Sequence, residues 1–424
     1  MRALTRDDVA ALDATDALAA RRERFALPEG VIYLDGNSLG ALPRATADHV
    51  ARVVREEWGQ GLIRSWNDTG NDTGNGAGNG AGWIDLPQRV GDKIGRLIGA
   101  APGQVVVADS TSVNLFKALA AAVRMRPGRP VVLSERGNFP TDLYIVQGLA
   151  ELLGGIELRL VEREEVAGAI DGRTAVVVLT HVDYRTGAMH DMAAVTAAAH
   201  AAGALALWDL AHSAGAVPVD LDGCGADLAV GCGYKYLNGG PGAPAFLYVA
   251  KRHQEAFRQP LTGWMGHAAP FAFGTDYRPA AGIRRALCGT PAVLAVAALE
   301  AGVDELLAVD MAELRRKSVA MTGLFRRLIA QECAGYGLEP VGPIEAERCG
   351  SQVSVRHPQG YAVMQALISR GVIGDFRAPD IMRFGFAPLY LRFTDVWDAV
   401  AILKDVLTTA AWDRPEFHRR AAVT

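Results

Sequence analysis

From about residue 88 to residue 250 the chain repeats one pattern: a short, β-branched apolar run, a turn, then an Ala/Leu-rich amphipathic stretch. Six runs predict strands, at Gln104–Ala108, Pro130–Ser134, Ala175–Thr180, Ala204–Trp208, Leu228–Gly231 and Ala245–Val249. Several are apolar at successive rather than alternate positions, as strands covered on both faces must be. The pattern therefore predicts an α/β domain with a helix-covered, mainly parallel sheet. Past residue 300 the texture changes. It predicts a long helix over about Ala301–Cys333, an alternating strand at Gln352–His357 and a helix at Tyr361–Arg370. Strands at Val372–Arg377 and Ile381–Phe386 and a last helix from Asp395 follow. The expected division is an N-terminal segment, 1–45, packing with the small domain, a large α/β domain, 46–300, and a smaller C-terminal α+β domain, 301–424.

Two stretches depart from this texture. Asn67–Gly82 (NDTGNDTGNGAGNGAG) carries nothing apolar larger than alanine and reads as a surface excursion. Pro260–Pro279, rich in Gly and aromatics, predicts a long loop that connection alone does not require.

Composition narrows the function. A chain of 424 residues, 50% hydrophobic and 21% charged, can bury a large core. A formal charge of −4 without long Lys/Arg runs gives no pull toward nucleic acid or acidic lipid, so a small neutral or zwitterionic ligand is the better expectation. The five cysteines are scattered, with no C-x-x-C pair and no histidines at zinc-ligand spacing, which predicts reduced thiols, no metal and a cytoplasmic protein. No signal-like apolar core and no run of about 18 apolar residues is present, so neither export nor membrane insertion is expected.

Candidate chemistry lies at the ends of the predicted strands. In GCGYKYLNGGPGAPAFLYV (231–249) Lys235 follows a small-residue strand end, where burial would depress its pKa and make it a nucleophile for an aldehyde. A surface turn lysine is the plainer alternative. In LWDLAHSAGAVPVD, Asp209 ends an apolar strand, where a carboxylate needs a cation partner or serves as a helix cap, and His212 follows by three. In VVVADSTSVNLFKAL the hydroxyls of Ser110, Thr111 and Ser112 open a helix, a place for a phosphate or for ordinary capping. NFPTD (138–142) sets an aromatic, Phe139, and a carboxylate, Asp142, in another turn after a strand. Gly36-Asn37-Ser38-Leu39-Gly40 fits the G-x-S-x-G nucleophile elbow, but too little chain precedes it to build the sheet and oxyanion loop that a serine hydrolase needs.

Taken together these segments resemble the kynureninases, a branch of the fold-type I pyridoxal-phosphate enzymes. YLDGNSLG (33–40), GLIRSW (61–66), NFPTDLY (138–144), LTHVDYRTG (179–187), WDLAHSAGAVPVDL (208–221), YKYLNGGPG (234–242) and IMRFGFAPLY (381–390) carry the resemblance across nearly the whole chain. It implies a transferase-like large domain binding pyridoxal 5'-phosphate (PLP). Lys235 would bond to the cofactor, Asp209 would face its pyridine nitrogen, and Phe139 would stack on the ring. Pro140, Thr141, Asp142, Thr180 and His212 would line it, and Ser110, Thr111 and Tyr234 would hold the phosphate. Trp264 and Thr290 would contribute across the interface of a homodimer. Arg383 would clamp the α-carboxylate of kynurenine, Trp66 would meet its aromatic end, and Tyr234 would be a proton donor. The departure from the family is the length of Asn67–Gly82. Two rivals remain: a regulator that keeps the fold without turnover, and a related lyase such as a cysteine desulfurase, against which stands the lack of a cysteine in a catalytic loop.

Overall fold

The computed structural model describes residues 2–67 and 82–421, so the Gly/Asn-rich insert, apart from Asn67 and Gly82, lies outside the described residues. Seven strands make the central sheet: β1 Val105–Val107, β2 Val131–Glu135, β3 Glu157–Val161, β4 Thr174–Thr180, β5 Leu205–Asp209, β6 Leu228–Gly231 and β7 Phe246–Val249. Their order is β1-β7-β6-β5-β4-β2-β3. Strands β2 to β6 pair in parallel, and β7 runs antiparallel to both of its neighbours.

The unbroken apolar runs follow from two cores, one on each face of the sheet. Val105, Val107, Val131, Leu133, Val177, Leu179, Ala206 and Trp208 enter one. Their sequence neighbours Val106, Val132, Val176, Val178, Leu205 and Leu207 enter the other, against Leu115, Ala118, Leu119 and Ala122 of the helix Thr111–Arg124. Because side chains alternate across a strand, a strand covered on both sides must be apolar at every position. The exception is β3, missed by the pattern: at the sheet edge its Glu157 and Arg159 reach outward and pair with Arg173 and Asp171.

The second sheet has four antiparallel strands, β8 Glu339–Val341, β9 Gln352–Arg356, β10 Asp375–Arg377 and β11 Ile381–Gly385, in the order β8-β9-β11-β10. Two expectations are corrected here. The single helix over Ala301–Cys333 is two helices, Val293–Leu307 and Met311–Glu332, because Asp310 breaks the run and caps the second helix by accepting from the Ala312 N–H at 2.8 Å. The strand over Val372–Arg377 splits at Gly374, where a Cβ would stand 2.7 Å from the Arg383 carbonyl oxygen. Its first part, Val372–Ile373, pairs in parallel with Ile32–Tyr33 near the N-terminus.

The N-terminal residues pack on the C-terminal ones through polar contacts. Asp13 accepts from the Phe393 and Thr394 N–H groups at the start of the helix Phe393–Thr408, at 2.6 and 3.0 Å. Asp16 pairs with Lys317 at 2.7 Å, both side chains buried, and the same amine donates to the Pro388 carbonyl at 2.6 Å. Removing one partner of such a pair strands a buried charge. Asp16→Ala is therefore expected to lower unfolding stability by about 3 kcal/mol, measured by urea denaturation. The double change Asp16→Leu with Lys317→Met should recover most of that loss.

Candidate active site

Open α/β sheets present their ligand crevice at the carboxyl ends of the strands, and the candidate residues converge there. Thr180 ends β4 and Asp209 ends β5, directly opposite each other in the ladder. Beyond β6 the chain turns through Gly233 and Gly239, where a Cβ would collide with the Pro244 and Gly233 carbonyl oxygens, and this tight turn carries Tyr234 and Lys235. The Lys235 amine stands 2.9 Å from His212 Nε2 and 5.9 Å from the centroids of the Phe139 and Tyr234 rings.

Burial sets the electrostatics. It lowers the Lys235 pKa, favouring the neutral, nucleophilic amine. Burial, then the Lys235 charge, holds His212 well below the ordinary histidine range. Asp209, buried and accepting from the Ala211 N–H at 2.8 Å, is pushed up by desolvation. Asp142 is pushed well up by burial and by the Asp209 charge, against a hydrogen bond from the Thr180 hydroxyl at 3.2 Å. Burial also raises the Tyr234 phenol.

Asn138, which the motif reading quoted but gave no role, organises this corner. Its amide oxygen accepts from the Thr180 hydroxyl at 2.6 Å and the Phe139 N–H at 2.8 Å, and its amide nitrogen donates to Ser134 at 3.0 Å. Phe139 is the N-cap of the helix Pro140–Leu153, so Pro140 and Thr141 open that helix and Asp142 points inward from its first turn. The Phe139 ring is partly exposed and meets Tyr184 edge-on at 5.1 Å.

A second group lies around Ser110. Asp109, at φ +48°, turns the chain from β1 into the helix Thr111–Arg124, whose N-cap is Ser110. A cavity of about 550 Å³ is lined by Asp109, Ser110, Tyr234, Cys288 and Thr290, so these residues share one wall within a single chain. Trp264 is elsewhere, 40% exposed on the Pro260–Pro279 loop and edge-on to Phe271. Trp66 packs edge-on against Trp83 at 5.8 Å.

Arg383 is fully buried in β11 and already engaged. Its Nε and Nη2 form a fork on Asp375, Nη2 also reaches Ser38 Oγ at 3.2 Å, and Nη1 donates to the Tyr184 carbonyl. One Nη1 hydrogen is left, so a two-point grip on a further carboxylate requires Asp375 or Ser38 to yield. Arg377 adds a second cation 3.0 Å from Asp375. Asp35, desolvated and facing Asp375, is pushed up to about 7. Ser38 donates to Asp375 and accepts from Arg383, so among the described residues no histidine base stands behind it as a nucleophile elbow would need. No group of metal-ligating side chains occurs among the described residues.

These features fit PLP. His212 Nδ1 is a buried polar atom without a partner, Asp209 and Asp142 are buried carboxylates short of a cation, and Lys235 is a desolvated amine between them. The fold is that of the fold-type I PLP enzymes. An apo cysteine desulfurase from Thermococcus onnurineus superposes with a TM-score of 0.76 at 18% identity, covering 92% of this chain and 98% of that one. A lysine-to-alanine mutant of C-DES, with glycine covalently linked to its PLP cofactor, superposes at 0.75 and 18%, covering 91% of this chain and 99% of that one.

The relatives then narrow the class. The chain is 57% identical to a kynureninase of Burkholderia pseudomallei and 56% identical to one of Pseudomonas fluorescens, in each case over 99% of this chain and all of the relative. Residues 314–403 match the kynureninase C-terminal domain. The chain belongs to the kynureninase family.

The buried carboxylates make a prediction for the cofactor-free protein. An acid whose folded pKa is raised costs stability as pH climbs above its unfolded value toward the folded one. Asp142→Asn should therefore raise the melting temperature of cofactor-free protein, more at pH 8 than at pH 5, by calorimetry. An equal change at both pH values would show that Asp142 is not burdened by its charge.

Proposed function

We propose that this chain is a PLP-dependent hydrolase that cleaves the Cβ–Cγ bond of L-kynurenine to anthranilate and L-alanine. 3-Hydroxykynurenine is the alternative substrate to compare. The observation that carries this reading is the desolvated Lys235 amine, 2.9 Å from His212, beside the buried carboxylates of Asp209 at the end of β5 and Asp142 in the first turn of the helix Pro140–Leu153. In this reading Lys235 bonds to the cofactor, Asp209 faces its ring nitrogen, and Phe139 covers the ring. Thr180, His212, Asp142, Pro140 and Thr141 surround it, Ser110, Thr111 and Tyr234 hold its phosphate, and Trp264 and Thr290 contribute across a homodimer interface.

When bound, PLP supplies an electron sink for negative charge at the substrate carbons next to the amino group. The chain's own residues do the rest. Arg383 orients the α-carboxylate, with Ser38 and Arg377 at hand as Asp375 yields. Lys235, its pKa lowered by burial, takes the proton from the substrate Cα, and His212 beside it can share that proton. Tyr234, its phenol kept protonated, returns a proton at Cβ as alanine forms. Trp66 would meet the aromatic end of the substrate.

Exposed Phe271 and Phe273, beside Trp264 on a loop joined to Cys288 through the Met265 N–H, support a homodimer with the site at its interface. The unpaired cysteines support a cytoplasmic setting. The division into 1–45, 46–300 and 301–424 belongs to the same proposal.

Purified protein should be yellow and should convert kynurenine to anthranilate and alanine in equal amounts, followed by anthranilate fluorescence. Sulfur release or transamination as the main reaction would move it to another branch. Lys235→Ala should lose the visible band and turnover together. Arg383→Lys should raise KM while leaving PLP affinity near that of the wild type, since each charged hydrogen bond contributes about 1.5–3 kcal/mol. Unchanged kcat/KM would make Arg383 structural.

A further inference from the structure

Lys117, in the middle of the helix Thr111–Arg124, is completely buried, and the function proposed above does not use it. Its amine donates to Asp109 Oδ2 at 2.6 Å and to the Ala286 carbonyl at 2.8 Å. Asp109 lines the cavity around Ser110, and Ala286 directly precedes Leu287, which lines it too. Asp109 sits immediately before Ser110 in a left-handed conformation, its side chain one-third exposed and its residue lining the cavity. Ala286 leads into residues 287–292, which include Cys288 and Thr290 and also line the cavity. A third tie, from the Ala245 N–H to the Asp109 carbonyl at 2.8 Å, fixes the same turn from the side of β7.

This arrangement is costly unless it has a use. A fully desolvated ammonium is kept only where paired and hydrogen-bonded, and a carboxylate facing a phosphate cavity would repel the dianion it is meant to hold. The lysine cancels that carboxylate and ties its turn to Ala286, which leads into the second lining segment. We propose that Lys117 is a positioning residue of the phosphate cradle. It masks the Asp109 charge and fixes the turn presenting Ser110 and Thr111. The inference rests on the PLP reading above, and it makes the cavity selective for a phosphorylated pyridoxal over the unphosphorylated one.

The test titrates full-length protein, stripped of cofactor, with PLP and separately with pyridoxal, following the visible band. Lys117→Met should weaken PLP binding on the order of 10- to 100-fold while changing pyridoxal binding by no more than about threefold. Adding Asp109→Asn to Lys117→Met should restore much of the PLP affinity, because the unmasked charge is gone. Asp109→Asn alone should bind PLP as tightly as the wild type or more tightly. Equal loss for both ligands, no loss for PLP, or no recovery in the double variant would each overturn the proposal. If Lys117→Met does not fold by circular dichroism, Asp109→Asn decides: PLP affinity lowered more than about tenfold would show that the carboxylate helps rather than hinders the phosphate. A wild-type protein that binds neither ligand would instead sink the cofactor reading itself.

Discussion

Desolvation of three charges gathered beyond the carboxyl edge of the sheet is the constraint on which the rest depends. Asp209 and Asp142 are buried, Lys235 is half-buried and desolvated beside them, and no assignment of charge satisfies all three. Stable folding requires a scaffold that holds them regardless, and the sheet provides it by being apolar on both faces. With so much burial on each side, the carboxyl ends of β4 and β5 cannot shift to release a carboxylate. What the fold gives up in electrostatics, it regains when a cationic ring enters: a pyridinium would offset the acids and a bonded lysine would no longer need its charge. Reactivity and cofactor affinity thus share one origin.

A second charged network serves a different end. Around Arg383 the guanidinium is well answered: Asp375 takes the fork, Ser38 and the Tyr184 carbonyl take other hydrogens, and Arg377 approaches the Asp375 Oδ2 that the fork and Ser38 already share. The guanidinium is pre-aimed but occupied. A carboxylate entering there exchanges one anion for another, which lowers the net gain on binding and favours ligands whose other end makes contacts of its own.

Most of the large sheet was legible from the chain because two-sided burial writes an unambiguous apolar run; the strands found in this way match the observed ones to within one residue at each end. Strand β3 was not legible, since an edge strand alternates with Glu157 and Arg159 and resembles a surface helix or loop. Direction was not legible either: nothing in the side chains of Phe246–Val249 says that it runs against its neighbours. The break at Asp310 was written in a capping residue and was overlooked under a continuous apolar period. At the site, Lys235, Asp209 and Phe139 could be picked out by type and place. Asn138 could not, because its value lies in three simultaneous hydrogen bonds, a property of the folded corner. Likewise the pairing of Arg383 with Asp375 depends on the crossing at Gly374, which only the second sheet determines.

Ser38 and Arg383 touch although 345 positions separate them along the chain. On the ribosome, then, the two halves of the pocket are finished at different moments. The cavity wall ending at Thr290 has been synthesised while Arg383 is still to come, and at about 5–20 residues per second that interval is on the order of ten seconds. A nascent chain can therefore complete the cavity around Ser110 before the network around Arg383 exists. Residues such as Asp13, Asp16 and Ser38 meanwhile wait, unpaired, for partners at the opposite end of the message. Truncation near the C-terminus should be felt first in the network around Arg383, long before the central sheet notices.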